Sequence, residues 1–207
     1  MSAASALCKA ETRLVVGQST RHPCSMTPPE VVNAGPVVLR RWQAAWAPAL
    51  LAAVRASLPQ LQAYMAWASD DYSIDSARKF LDEAARSWEE GTEFSYAMRA
   101  PDGQVVGASS LMTRMGPGVL EIGYWVHSAF TGRGLATAAT VALTQVALSM
   151  EDVQAAVIRH DAANLSSGRV AERAGYLERE RRPSILDQAR DRTDVEVIWE
   201  RLRNDRN

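Results

Sequence analysis

The most constraining feature of the chain is a junction. An apolar, aromatic run, LEIGYWV (Leu120 to Val126), gives way to TGRGLA (Thr131 to Ala136), and then to an alanine-rich segment in which Leu135, Ala138, Ala142 and Val146 recur at helical spacing. The run has the make-up of a strand, and the segment after it lines one face of a helix. Two glycines at such a junction let the backbone come close to something, while a helix start leaves several N–H groups without partners. The turn suits an anion: its N–H groups from Gly132 through Ala136 can wrap a diphosphate, helped by the helix dipole and by Arg133. It lacks the third glycine of the dinucleotide loop and the Gly-Lys-Ser/Thr of the P-loop, so neither nucleotide fingerprint is indicated. Taken alone, a glycine pair after a strand is also what an ordinary turn carries.

The remaining elements build a sheet around that junction. VVLRRW (Val37 to Trp42) reads as a short strand after a Gly-Pro break. Leu50, Leu51, Val54, Leu58 and Leu61 recur at three and four residues, with Pro59 separating two helices. SIDSARKFLDEAARSWEEG is a second amphipathic stretch that Gly91 stops. EFSYAMRA and VVGASSLMTRM flank a Pro101-Asp102-Gly103 turn and read as a hairpin. LEIGYWV, the junction helix and AAVIRH, a short strand of buried type, come next. NLSSGRVAERAGY offers Asn164 as an N-cap and Gly175 as a stop, and TDVEVIWERL alternates at Val195, Val197 and Trp199 as a half-buried strand does. The expected order is strand, helices, hairpin, strand, helix, strand, helix, strand.

At 207 residues the chain suits a single sizeable core. Residues 1–35 are expected to form a poorly ordered extension, and 36–207 one domain; Met26 is a possible biological start. A formal net charge of −1 supplies no general basic field, so nucleic acid is not an expected partner. Cys8 and Cys24 lie outside the expected core, and His127 and His160 have no partner at metal spacing, so no metal site or disulfide framework is encoded. No apolar run approaches roughly 18 residues, and MSAASAL is followed at once by Lys9, Glu11 and Arg13, which rules out a secretory h-region. A cytoplasmic protein without a membrane partner is expected.

TGRGLAT after EIGYWV resembles the pyrophosphate loop of the GNAT acetyltransferases, whose pattern is Arg/Gln-x-x-Gly-x-Gly/Ala. NLSSGRVAERAGY is similar to the Asn-x-x-Ser segment that follows the next strand in that superfamily. LRRWQAAWAPALLAAVRASLPQLQAYMAWA resembles the N-terminal helices of its RimJ/RimL branch of ribosomal-protein N-terminal acetyltransferases. The resemblance runs from about residue 36 to the end. It implies an α/β (α+β) fold with a central, mixed, mostly antiparallel twisted sheet, flanked by helices and splayed between the fourth and fifth strands, LEIGYWV and AAVIRH. It further implies that acetyl-CoA is held by Tyr124, Val126, Gly132, Arg133, Gly134, Leu135, Ala136, Thr137, Asn164, Ser167 and Arg169, without a metal. A homodimer is suggested by the family only. Thr131 departs from the pattern's opening Arg or Gln, which removes one side chain that orders the loop, whereas Gly134 and Ala136 keep the positions that let phosphate approach.

The implied chemistry is direct attack of an amine on the acetyl thioester. The amine must be neutral to attack, and an α-amino group near pKa 8 reaches that state about 3.3 kcal/mol more cheaply at neutral pH than a lysine near 10.4. Glu121 is the candidate general base, acting through water; its plain alternative is a carboxylate that merely points to solvent or pairs with an arginine. Ser167 is the candidate for hydrogen-bonding the leaving thiolate, with Asn164 on the pantetheine arm, although both residue types are also expected at any helix start. Tyr176 reads as core packing. Trp42, Trp46 and Trp67 suit a core, yet Trp67 with Tyr64 and Met65 can also shape an acceptor groove. The favoured acceptor is a protein or peptide N-terminus. The alternatives are a small amine (an antibiotic, a polyamine or an amino acid) and a CoA-binding module that regulates without turnover. The acidic pairs Asp70-Asp71, Asp82-Glu83 and Glu89-Glu90 leave a polycationic acceptor open, though such pairs are usually solvated faces.

Overall fold

The computed structural model describes residues 27–184 and 193–204. Their strands are β1 (Val31–Asn33), β2 (Val38–Arg41), β3 (Glu93–Arg99), β4 (Val105–Met112), β5 (Val119–Val126), β6 (Ala155–Asp161), β7 (Leu177–Pro183) and β8 (Val195–Leu202). The helices are α1 (Ala47–Arg55), α2 (Leu58–Gln62), α3 (Ile74–Glu90), α4 (Leu135–Ser149) and α5 (Leu165–Arg173). One sheet takes the order β1-β2-β3-β4-β5-β6-β8-β7, antiparallel throughout except where β5 meets β6.

Alternation along the strands divides the core in two. On β3, Phe94, Tyr96 and Met98 point to the face covered by α4 and α5, together with Leu120, Ile122, Ala156 and Ile158. Ala97 points the other way, where Val105 and Ala108 meet α1, α2 and α3 through Leu50, Val54, Leu61 and Leu81. Local signals place the helices. Ser73 and Ser76 form a reciprocal capping box at the start of α3, and Gly91 ends it at φ 69°, a left-handed position that glycine takes without strain. Pro59 sits in the first turn of α2, where its missing N–H costs nothing. In the β3–β4 turn Asp102 accepts from the Gln104 N–H at 2.9 Å.

Four sequence expectations change. Residues 27–35, assigned to the extension, contain β1, which pairs with β2 through Val31↔Arg40; residues 1–26, with Cys8, Cys24 and Met26, lie outside the described residues. β7 was not expected because LERERRP has no apolar period, and it is exposed almost throughout as the sheet's edge. The buried side of α4 runs through Ala139, Ala142, Leu143 and Ala147, while Ala138 and Val146 are only partly covered. On β8 the alternation does not give one wet face, because Glu196 is fully buried beside Val197 and Ile198.

Candidate active site

The parallel seam is short. β5 and β6 are in register only at Val119↔Ala155, Leu120↔Ala156 and Glu121↔Val157. Beyond it β5 stays with β4 as far as Val126↔Gly107, and β6 stays with β8 as far as Asp161↔Glu196. The two strands therefore part, which is the splay expected between LEIGYWV and AAVIRH. The opening belongs to a groove of about 1230 Å³ that reaches from the α4 start to the α2–α3 segment.

At one end of the groove stands the glycine turn. Gly132 and Gly134 have φ of 73° and 76°, and a Cβ on either would meet nothing within 4 Å. Backbone geometry demands glycine here, and the space beside it is open. Among the described residues none accepts from the N–H groups of Gly132 to Thr137; the α4 ladder begins with Ala138 N–H to Gly134 O at 2.9 Å. An α4 start with its donors unclaimed and facing open space fits a diphosphate. Thr131 orders the turn in its own way, donating from Oγ1 to the Ser128 carbonyl at 2.9 Å. Arg133 differs from expectation: its guanidinium donates to the Ala129 carbonyl and lies 4.8 Å over the Phe130 ring, and the residue does not line the groove. Any part it takes in anion binding is through its N–H.

Across the splay, Asn164 Oδ1 accepts from the Ser167 N–H at 3.1 Å, so the capping role exists whatever else Asn164 does. Ser167 Oγ lies 2.8 Å from the Tyr124 hydroxyl, which is also 3.2 Å from the Ser167 carbonyl oxygen. Burial pushes the Tyr124 phenol up to about 12, against a smaller opposing effect of the Ser167 hydrogen bond. Tyr176, 3% exposed, turns its hydroxyl to Thr144 Oγ1 at 2.5 Å and packs as expected. Arg169 lines the same groove.

Glu121 lines the groove and is ion-paired there. It is 3% exposed, and its carboxylate accepts from Arg114 Nε (2.8 Å) and Nη2 (2.5 Å) and from Arg159 Nε (3.0 Å). Arg159 Nη1 also donates to Glu196 (2.9 Å), whose other oxygen accepts from Arg182 Nε (2.9 Å). This chain of alternating charges starts at the last registered pair of the seam and runs across β5, β6, β8 and β7. Three guanidinium N–H groups thus point at the Glu121 carboxylate. Arg114, Arg159, Arg182 and Glu196 were not foreseen, because charged residues far apart in sequence show no pairing until the register is known; Glu196 between apolar neighbours on a strand was the available hint.

Aromatic side chains wall the other end. Trp67 is 46% exposed, with its ring 6.0 Å from Tyr72 and 6.4 Å from Trp125. Tyr64 donates to the Ala163 carbonyl at 3.3 Å, tying this wall to the β6–α5 turn. Trp67, Tyr64 and Met65 line the groove as expected; Trp42 packs in the α1–α3 core, with Trp46 partly buried against it. His160 has both ring nitrogens engaged, Nε2 accepting from Trp199 Nε1 at 2.9 Å and Nδ1 lying 2.7 Å from the Asp161 carbonyl. Burial lowers its pKa, outweighing the nearby Asp161. Among the described residues no group of three or more His, Cys, Asp or Glu side chains is arranged to hold a metal, and no helix is long and apolar enough to cross a membrane.

The groove thus brings together Glu121, Tyr124, Val126, Gly132, Gly134, Leu135, Ala136, Thr137, Asn164, Ser167 and Arg169. Room for a long, diphosphate-bearing thioester on one side of a parted seam, and for a nucleophile on the other, is what an acyl-CoA-dependent acetyltransferase requires. The chain belongs to the acetyltransferase (GNAT) domain family, which matches residues 37–177. Comparison with curated proteins gives no match. Solved structures share the fold. MccE, the microcin C7 self-immunity acetyltransferase in complex with acetyl-CoA and AMP, has a TM-score of 0.77 at 17% identity, over 86% of this chain and 98% of its own. RimL, a ribosomal L7/L12 alpha-N-protein acetyltransferase in complex with coenzyme A, has 0.76 at 20%, over 84% and 98%. RimJ of Mycobacterium smegmatis, in complex with CoA-disulfide, has 0.72 at 20%, over 86% and 88%.

Proposed function

We propose that this acetyltransferase acts on the α-amine of a protein or peptide N-terminus. The observation that carries the reading is the state of Glu121, whose oxygens are taken by Arg114 and Arg159. With that carboxylate engaged, an acceptor that sheds its proton unaided near neutral pH has a large advantage, and α-amines do so more readily than lysines. RimL, of the same fold, is an alpha-N-protein acetyltransferase. The unclaimed N–H groups at the α4 start hold the diphosphate, Asn164 and Ser167 stand beside the thioester arm, and Glu121 anchors the seam.

A second acceptor class is a small amine that carries a flat ring. The exposed ring of Trp67 beside Trp125 offers a stacking face, and MccE, the immunity enzyme of the same fold, was solved with AMP. Mass-detected acetyl transfer to a panel of N-terminal peptides, lysine side chains and small amines separates the readings. Modification of peptide α-amines, with kcat/KM rising with pH up to the amine's own pKa in both the wild type and Glu121→Gln, is the expected result. Labelling of lysines or small amines alone overturns it; acetyl-CoA binding without any transfer points to a regulatory module.

A further inference from the structure

We infer that Tyr124 is a positioning residue for acyl transfer, aiming the Ser167 hydroxyl proton at the sulfur that leaves. The inference rests on the acetyl-transfer reading above. Tyr124 is on β5, three residues past the last seam pair, and Ser167 is in the first turn of α5, so their hydroxyls meet across the splay. Any thioester threaded through the opening passes this pair. The Tyr124 hydroxyl has two acceptors within reach, Ser167 Oγ at 2.8 Å and the Ser167 carbonyl oxygen at 3.2 Å; a phenol is a stronger donor than an aliphatic hydroxyl, and we assign its proton to the shorter contact, Ser167 Oγ. With that assignment the serine proton is directed away from the tyrosine, free to turn to the groove that Ser167 lines. Tyr176, the neighbouring buried phenol, does not compete, because its hydroxyl is turned to Thr144.

In the reaction the nitrogen–carbon bond forms and the carbon–sulfur bond breaks, with the electron pair departing on sulfur. The nitrogen's surplus proton then reaches the sulfur through water, giving amide and thiol. Tyr124 is not the source of that proton: its phenol, held near 12 by burial, is a far weaker acid than a thiol near 8.5. Its part is to keep one hydrogen bond pointed at the developing thiolate, which a serine free to rotate would point elsewhere.

Two readouts on the full chain test this. The first needs no acceptor: ultraviolet titration of the thiol of bound CoA, corrected for the protein alone. Hydrogen bonding to the charged form lowers a pKa, so the bound thiol is expected to titrate below free CoA in the wild type and to move back up in both Tyr124→Phe and Ser167→Ala. The second is kinetic. Tyr124→Phe is expected to lower kcat about tenfold with the KM for acetyl-CoA within about twofold, and the Tyr124→Phe/Ser167→Ala double variant to be no slower than Ser167→Ala, as for two groups acting through one hydrogen bond. Unchanged kcat in Tyr124→Phe, multiplicative losses in the double variant, or a wild-type bound thiol titrating at or above the free value overturns the inference. A wild type that transfers no acetyl group overturns the functional reading instead, and the thiol titration still reports on the hydroxyl pair.

Discussion

The two ends of the groove are made from different materials. The end we propose for the cofactor is built mainly on backbone, with two glycines at positive φ and an α4 start whose N–H groups are unclaimed, beside the Asn164 side-chain cap of α5. The end we propose for the acceptor consists of side chains from α2, the α2–α3 segment and β5, led by Trp67, Tyr64 and Trp125. Between them lies the charged seam of Glu121 and Arg159. Backbone sites tolerate few sequences because only certain residues adopt the geometry, whereas a wall of rings can be rebuilt without disturbing the sheet. One end is therefore fixed in what it binds and the other is free to vary.

The largest expected effect comes from the seam that joins the two ends. Arg159→Ala leaves Glu121 and Glu196, both buried, short of their shared partner, and breaking such a pair typically costs about 3–5 kcal/mol. Thermal unfolding should show a fall in Tm of many degrees. A variant as stable as the wild type would mean that the seam does not depend on its charges.

A smaller effect separates the ends themselves. Gly134→Ala puts a Cβ on a residue at φ 76°, which costs about 1–2 kcal/mol, roughly tenfold if it falls on the bound state. Calorimetry should find weaker acetyl-CoA binding in this variant and unchanged binding in Trp67→Ala, while acceptor preference moves only in Trp67→Ala. If Trp67→Ala loses acetyl-CoA, the division into two ends fails.

The smallest effect is a slope with pH. His160, packed beneath α5 at the cofactor end, has its pKa lowered by burial. The unfolded chain, with histidine near 6.5, takes up its proton first. Stability from this group is complete above about pH 6.5 and is lost as pH falls from there through the folded pKa. The fall in Tm between about pH 7 and 5 should be shallower in His160→Gln than in the wild type; equal slopes would show that His160 titrates freely.

The same contrast of materials governs what could be read before the structure. The Gly132–Gly134 turn, the Asn164 cap and the hairpin turn were legible because each places a residue type under a local backbone demand. The parting of the sheet followed from the resemblance that those motifs carry. Arg159 was not legible: its partners, Glu121 and Glu196, are brought to it by the β5–β6 and β6–β8 registers. The same holds for the Tyr124–Ser167 pair, 43 residues apart and joined only when α5 folds back over the splay. Glu121 shows the limit most clearly, since its position on β5 was anticipated and its two arginines were not. β1 and β7 escaped for a different reason, one too short and the other too polar to show a period.

That polar strand has a consequence for life in a crowded solution. An edge strand offers a row of hydrogen-bonding groups to any extended segment that drifts by. β7 meets such a visitor with Glu178, Arg179, Glu180, Arg181 and Arg182 in succession, an irregular register near Glu178 and a proline at its end. A greasy stranger finds neither a flat template nor an apolar face to settle on. While one margin of the sheet stays unattractive to passing chains, the fissure at its centre can remain open for its own ligands without the molecule becoming sticky.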